Sequence, residues 1–499
     1  MCLTKETTTL KPRGITIKRR PLLTEEDCHI IHEGTCRLLE ETGIHVTNQE
    51  AARIFTQNGA ELHDGERITI PRDVIEEKSR QTESRIELGA KNSANDLTIE
   101  AGVPRIFFGT GGQALYILEK NNGGFQRRSA GTGDLEHILQ LCEQLPHVDF
   151  ITRPVEPDVP EEDMDLEKIR IFLRYTTKHM NLANLVRLDK LPAILKEVED
   201  PSLISFISCV CISPLKLASG TLDKFIRLVE EDIPVSISSC PQAGLTAPLS
   251  ELGELIQVNA EVLSVIILAN MIRPGARVLY RGIPITSNLH EDISPRWCQP
   301  ECIRRVALIA DMTAYYGIPC CGTAAVSDEK KPTAQAVSEK TLGWIYESLS
   351  GASFINSALG MLEQVMTVSP EQYVMDNRIL AAVKPMIEEN GDSPTADLAE
   401  QAVSAALELF GVHADEPIRE EIRSRIRFIE TKREKYTLEA AGDQVTAITK
   451  AVLSNKSSNL FLKTSRSGLR KGLLYMGRRI ERPLDLSDVE KEKQRLLAG

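Results

Sequence analysis

The strongest constraint on the fold is an alternation of short apolar runs with helix-length segments between residues 105 and 390. Each run is rich in Ile, Val, Phe or Leu and too short for a buried helix, which is typical of buried strands. The runs span 106–109, 150–153, 182–187, 203–209, 235–239, 278–283, 318–322 and 353–356. The helix-length segments span 134–145, 163–180, 189–199, 221–231, 251–269, 300–316, 332–350 and about 370–389.

Strands that alternate with helices indicate βαβ units and a parallel sheet. Eight such units in roughly 285 residues fit the usual size of a (β/α)8 barrel. An open doubly wound sheet is the alternative, but eight consecutive units favour closure, and the chain has no glycine fingerprint for a nucleotide. We therefore predict an α/β protein whose (β/α)8 TIM barrel covers 101–392. An N-terminal α+β extension covers 1–100, and a helical C-terminal tail covers 393–499.

Local signals support the N-terminal extension. Thr24 is a plausible helix N-cap, and Asp27 stands where the acid of a capping box would stand. Gly43 ends this helix. A second helix is predicted over about 48–58 and a strand over 67–70, after which Pro71 can begin a third helix.

Composition limits the classes of partner. The chain has 59 Lys and Arg against 71 Asp and Glu, a formal net charge of −12. Nucleic-acid binding depends on cationic surface, so a nucleic acid is not expected as partner. No apolar stretch reaches the roughly 18 residues of a membrane span, and the first residues lack the apolar region of a signal peptide. We therefore expect a cytoplasmic protein whose eleven cysteines are reduced.

The tail reverses this charge locally between residues 453 and 482. A solvated surface would explain the reversal, and a docking surface for an acidic partner is the alternative. The cations are Lys456, Lys463, Arg466, Arg470, Lys471, Arg478, Arg479 and Arg482, against the single acid Glu481.

The cysteines do not form a recognisable metal motif. Cys298 and Cys302 have CxxxC spacing, but no second pair or paired histidine lies nearby. We interpret these two, together with Cys209, Cys211, Cys320 and Cys321 on the predicted strands, as buried structural thiols. No tightly bound metal is expected.

Polar and aromatic residues collect at the predicted strand ends, where barrel enzymes keep their sites. Phe108, Tyr280 and Trp297 supply aromatic rings, and Arg281 and Asn356 supply polar groups. Aromatic faces attract quaternary cations, and an Arg fork matches a carboxylate. These five residues are therefore candidates for binding a substrate that carries both groups, although half of the side chains on any strand point outward.

Several stretches resemble one family. They are Leu23–Glu26 with Leu38–Gly43, 67–72, the glycine-rich 108–112, 322–328 with 334–336, and 351–363 with Gln372, Asp376 and Asn377. Together these stretches resemble the trimethylamine methyltransferase family of corrinoid-dependent methyltransferases, over roughly residues 20–390. The resemblance implies a (β/α)8 barrel that moves a methyl group from a methylated amine to Co(I) of a separate corrinoid protein.

The resemblance also implies roles for individual residues. Archaeal trimethylamine enzymes carry pyrrolysine near the last barrel strand, whereas this chain has Asn356 and Ser357 there, and either could occupy the equivalent position. Asn356 and Glu363 are the catalytic candidates. The predicted corrinoid-facing residues are Gly109, Thr110, Gly111, Gly112 and Thr323. Members without pyrrolysine resemble enzymes that demethylate glycine betaine and other quaternary amines.

The chemistry favours a quaternary amine. Its nitrogen is already cationic, so a neutral amine can leave without an acid, base or metal to activate it. The protein then contributes positioning and exclusion of water, while the corrinoid carries the difficult chemistry. Two alternatives stay open, a zinc-dependent corrinoid methyltransferase of another class and a non-catalytic barrel that binds a partner. A homo-oligomer is the usual expectation for a soluble enzyme.

Overall fold

The computed structural model describes residues 14–498 except 104, 122–123, 290–292, 324, 390–392, 433, 454–474 and 476. Eight parallel strands form the central barrel. In chain order they are Arg105–Thr110, Phe150–Thr152, His179–Asn181, Ile204–Ser208, Val235–Ser239, Val278–Gly282, Cys321–Gly322 and Phe354–Leu359. The eighth strand pairs with the first, and a bridge between Tyr280 and Cys320 joins the sixth and seventh. The predicted barrel is therefore confirmed in preference to an open sheet.

One helix follows each strand and packs on the outside of the barrel. In the same order these eight barrel helices are Thr132–Gln144, Glu161–Tyr175, Leu191–Val198, Ser219–Glu230, Glu251–Ile272, Pro300–Tyr316, Ala334–Ser350 and Pro370–Glu389. The helix-length segments of the sequence predicted all eight, and each helix buries at least one face against the barrel.

The predicted position of the third strand was wrong. The third strand consists of His179–Asn181, and residues 182–187, which were predicted to form it, belong to the loop that follows. The second barrel helix ends at Tyr175, earlier than predicted, and this leaves 179–181 free to pair with both neighbouring strands. Ala183 then has a positive φ of 56°, which turns the chain out of the sheet.

The helices of the N-terminal segment pack on the fifth barrel helix, and its hairpin closes one end of the barrel. Its helices are Glu25–Glu41, Gln49–Gln57 and Arg72–Arg80, and Thr24 and Asp27 form the expected capping box. An antiparallel hairpin of Arg85–Leu88 and Leu97–Glu100 follows. Its apolar side chains join those of the barrel interior in one buried cluster, so the hairpin seals the end opposite the strand C-termini.

The fifth barrel helix, Glu251–Ile272, is long and apolar enough to cross a membrane by length and composition, but 89% of the tested stretch is buried inside the protein. N-terminal helices Glu25–Glu41 and Arg72–Arg80 and the tail helix Leu438–Leu453 pack on it, while strands of the barrel cover its other side. A helix enclosed on all sides needs apolar residues around its whole circumference.

The tail is helical and packs around the barrel. Thr395–Glu408 contacts the seventh barrel helix, Glu416–Glu430 contacts the sixth, and Ser487–Ala498 contacts the eighth and the first. Of the predicted basic region, Lys456, Lys463, Arg466, Arg470 and Lys471 lie outside the described residues. The boundaries at 100/101 and 392/393 stay predictions.

Candidate active site at the C-terminal mouth of the barrel

The barrel interior has an apolar floor. Phe107, Phe150, Leu279, Cys321 and Phe354 belong to one buried cluster that includes the N-terminal hairpin. The rings of Phe150 and Phe354 stack with centroids 3.6 Å apart. Because strand side chains alternate between faces, the residue two positions after each floor residue also points inward, one layer closer to the mouth.

That next layer is polar. It contains Thr152, Asn181, Arg281, Thr323 and Asn356, all of them buried. Each has at least one buried polar atom without a hydrogen-bond partner in the described structure, and three of these atoms are N–H donors: Asn181 Nδ2, Arg281 Nε and Asn356 Nδ2. Buried polar groups are usually paired. An inward layer with free donors is therefore suited to a ligand that brings acceptors.

Arg281 is the most informative member of this layer. It is 7% exposed, and its Nη1 donates a hydrogen bond to Ser238 Oγ at 2.6 Å. Within the described part of the chain it has no carboxylate in ion-pair contact, unlike the buried Arg304 with Glu251 or Arg305 with Glu254. The charge of Arg281 acts on the buried acid Glu347 without contact between the two groups. A buried guanidinium with no carboxylate in contact is costly, so Arg281 is suited to a ligand that brings an anion.

Arg281 lines a cavity of about 400 Å³ at the mouth together with Arg153. Arg153 is fully buried, and its Nη2 donates to Gln113 Oε1 and Asn184 Oδ1, both at 2.7 Å. It also forms an ion pair with Glu156. Burial lowers the pKa of Arg153 to about 9. Arg153 therefore has an acidic partner in contact, whereas Arg281 has none in contact among the described residues.

Cys209 corrects a sequence-based prediction. We expected a buried structural thiol, but the residue is exposed and lines the same cavity. It follows directly after the fourth strand, Ile204–Ser208, so the chain has already left the barrel wall there.

The three candidate aromatic rings, those of Phe108, Tyr280 and Trp297, do not come together around the cavity. Phe108 and Tyr280 each follow an inward residue on their strands and face the helix layer. Lys384 Nζ lies 4.7 Å from the centroid of the Phe108 ring, and the Tyr280 hydroxyl donates to Asn259 Oδ1 at 2.9 Å. Both rings belong to the main hydrophobic core, which accounts for their burial without a ligand.

Trp297 lies apart from the barrel interior, in the loop after the sixth strand. It packs on a small cluster of Ile283, Ile285, Cys302 and Val306. Its backbone N–H donates to Asp328 Oδ1 at 2.9 Å, and its indole Nε1 is buried without a hydrogen-bond partner among the described residues. The ring thus packs on its own loop and the sixth barrel helix, and the backbone N–H links this loop to the one after the seventh strand.

The glycine-rich end of the first strand is explained by the barrel itself. A Cβ on Gly109 would lie 2.2 Å from the Phe150 ring, one on Gly111 would lie 2.3 Å from Ser357 Oγ, and one on Gly112 would lie 1.7 Å from the Arg153 carbonyl oxygen. Thr110 Oγ1 donates to the carbonyl of Thr152 at 2.5 Å. These residues let neighbouring strand ends approach closely.

Glu363 is placed outside this layer. Its carboxylate accepts two hydrogen bonds from Arg127 Nη1, at 2.7 and 2.8 Å, and one from Thr367 Oγ1 at 2.5 Å. The surrounding loop joins Met361–Leu362 and Thr367–Val368, which form a sheet with the hairpin after the first strand. Glu363 is therefore engaged in holding that sheet.

Sequence reasoning missed a set of buried carboxylates on the barrel helices that accept hydrogen bonds from backbone N–H groups of the mouth loops. The pairs are Asp165 with Arg187 at 2.7 Å, Glu261 with Leu215 at 3.0 Å, Glu347 with Thr323 at 2.6 Å and Asp376 with Gly360 at 2.7 Å. Each bond gives a buried acid a partner and fixes the backbone of a mouth loop. The sequence did contain a signal for these pairs, namely acidic residues at positions on the buried face of a helix, where an acid needs a hydrogen-bond partner.

A larger cavity, of about 800 Å³, lies outside the barrel between the hairpin after the first strand, the first and eighth barrel helices and the C-terminal helix. Its cations already have acidic partners: Arg128 binds Glu119 and Asp134, and Lys493 binds Glu371. We therefore place the candidate site at the barrel mouth. Among the described residues, no group of three or more His, Cys, Asp and Glu is arranged to hold a metal ion.

Comparison with known proteins identifies the family of this chain. The model of the trimethylamine methyltransferase (MTTB) family matches residues 5–410. Trimethylamine methyltransferase MttB of Methanosarcina thermophila is 30% identical over 74% of this chain and 78% of its own length. A glycine betaine methyltransferase of Desulfitobacterium hafniense is 29% identical over 73% of this chain and 77% of its own length. With most of its length matched by the family model, the chain belongs to the trimethylamine methyltransferase family and is a methyltransferase.

Proposed function

We propose that this enzyme transfers a methyl group from a quaternary amine bearing a carboxylate to Co(I) of a separate corrinoid protein, with glycine betaine as the first substrate to test. The observation that carries the proposal is Arg281, a buried cation on the inward layer without an anionic partner among the described residues. Trimethylamine has no carboxylate to offer it. The relative named for glycine betaine supports the same choice.

Each of the residues at the barrel mouth has a separate role in this proposal. Arg281 holds the substrate carboxylate through an ionic hydrogen bond, and the free amide donor of Asn356 adds a second contact. The apolar floor of Phe150 and Phe354 limits how deep the substrate can enter and keeps water away. Because the leaving nitrogen is already cationic, no side chain has to move a proton, and the chain contributes orientation.

The corrinoid protein is the second substrate and supplies Co(I) as the methyl acceptor. We propose that it docks over the strand C-termini, where Thr323 and the segment Gly109–Gly112 end the seventh and first strands. A cytoplasmic location and a homo-oligomeric state are also part of the proposal, as are the three domains at the predicted boundaries.

A methyl-transfer screen tests this function. Purified enzyme with cob(I)alamin is given glycine betaine, longer betaines, choline and trimethylamine at equal concentration, and methylcobalamin is followed by absorbance. We expect transfer from one or more betaines and little from choline or trimethylamine. Transfer from trimethylamine alone, or from no quaternary amine with the corrinoid protein supplied, would overturn the proposal. Metal analysis of the active protein addresses the zinc-dependent alternative.

A further inference from the structure

We propose that a buried ion pair, Lys340 with Asp376, positions the ends of the seventh and eighth strands for methyl transfer. The pair joins two barrel helices, with Lys340 on Ala334–Ser350 and Asp376 on Pro370–Glu389. Lys340 Nζ lies 3.2 Å from Asp376 Oδ2, and both side chains are completely buried. This inference rests on the proposed function, because it assigns a role in that reaction.

Each partner also binds one of the mouth loops. Lys340 Nζ donates to the carbonyl of Ala325 at 2.5 Å, in the loop after the seventh strand, and lies 3.4 Å from the carbonyl of Met361. Asp376 Oδ2 accepts the backbone N–H of Gly360 at 2.7 Å, directly after the eighth strand. Two charges thus hold a carbonyl of one loop and an amide of the other.

One of the residues in contact and one residue of the eighth strand adopt uncommon conformations. Ala325 has a φ of 69° and Ser357 a φ of 61°, although neither is a glycine. Such a conformation costs free energy and persists only where the surroundings fix it. Trp344, one helical turn after Lys340, adds a hydrogen bond from its indole Nε1 to the carbonyl of Ala358 at 3.2 Å.

The backbone groups held by Lys340 and Asp376 are close in sequence to candidate site residues. Asn356 immediately precedes Ser357 on the eighth strand, and Thr323 directly follows the seventh strand, two residues before Ala325. An ion pair made only for stability would be replaceable by apolar residues at little cost. Here the two charges are also the hydrogen-bond partners of loop backbone groups. Removing them therefore frees the loop that carries Thr323 and the loop that follows the strand of Asn356.

The test uses Lys340→Met and the milder isosteric Asp376→Asn, with Arg304→Met as matched control. Arg304 also forms a buried pair, with Glu251 at 2.7 Å, but its other contact is the carbonyl of Ile429 in the tail. Hydrogen–deuterium exchange is measured on peptides that contain 323–328 and 356–363, and kcat and KM are measured for the best betaine.

We expect faster exchange of both peptides in the Lys340 and Asp376 variants and not in the Arg304 variant. We expect kcat to fall by up to about 100-fold with KM changed far less, since misplacement of about 1 Å has that effect on a positioned reaction. If Lys340→Met does not fold, Asp376→Asn alone decides. Unchanged exchange in both peptides, or an equal fall of kcat in the Arg304 variant, would overturn the inference. The exchange result does not depend on methyl transfer, so a failure of the proposed function would be seen separately, in the wild-type enzyme.

Discussion

Replacing Arg281 by Met should weaken substrate binding without lowering the stability of the protein. Hydrogen bonds to charged groups contribute about 1.5–3 kcal/mol, so losing the contact to a substrate carboxylate should raise KM about 10- to 150-fold. Among the described residues Arg281 has no carboxylate in ion-pair contact, so a Met there removes the desolvation cost of a buried charge and breaks no ion pair. The free energy of unfolding should therefore stay the same or rise.

The assay pairs steady-state methyl transfer with urea unfolding, and Arg304→Met again serves as control. Arg304 and Glu251 are both buried and 2.7 Å apart, so breaking this pair should cost about 3–5 kcal/mol of stability while leaving KM unchanged. A choline control belongs in the same series, because it lacks the carboxylate and its weak turnover should not respond to Arg281→Met. The reasoning is refuted if Arg281→Met destabilises the protein as Arg304→Met does and leaves the betaine KM unaltered.

Three further outcomes are expected. Gly112→Ala should destabilise the protein severely, because its Cβ would lie 1.7 Å from a backbone carbonyl oxygen, whereas Gly133→Ala, on an open helical site, should be neutral or stabilising by about 0.5–1 kcal/mol in thermal unfolding. Burial raises the pKa of Glu347 to about 8, from an ordinary value of 4.5. The stability that comes from protonated Glu347 is therefore fully present below pH 4.5 and is lost as the pH rises through about 8. In Glu347→Gln the free energy of unfolding should no longer fall for this reason, and an identical pH profile of unfolding for both proteins would contradict the prediction. Tyr280→Phe should lose about 1 kcal/mol of stability, since it removes the hydrogen bond to the fifth barrel helix, with an unchanged KM; a raised KM would return this residue to the substrate site.

Sequence alone determined the architecture because its signals are local. The alternation of apolar runs with helices, repeated eight times, leaves few folds other than a closed barrel, and the Thr24 and Asp27 capping box lies within four consecutive residues. The third strand was misplaced because apolar residues continue into 182–187, and burial of the following loop looks the same as burial of a strand.

Tertiary structure alone decided which side chains face the site. Parallel barrel strands are buried on both faces, so their sequences lack the alternation that would separate inside from outside. The sequence therefore could not distinguish Phe108 from the inward Phe107, or Tyr280 from the inward Arg281, although the two residues of each pair are adjacent and face opposite sides of the strand. The partners of buried charges were equally inaccessible, since Lys340 and Asp376 meet only when two helices 36 positions apart pack side by side. Under the proposed function, the choice of substrate depends on Arg281, whose buried position only this packing decides.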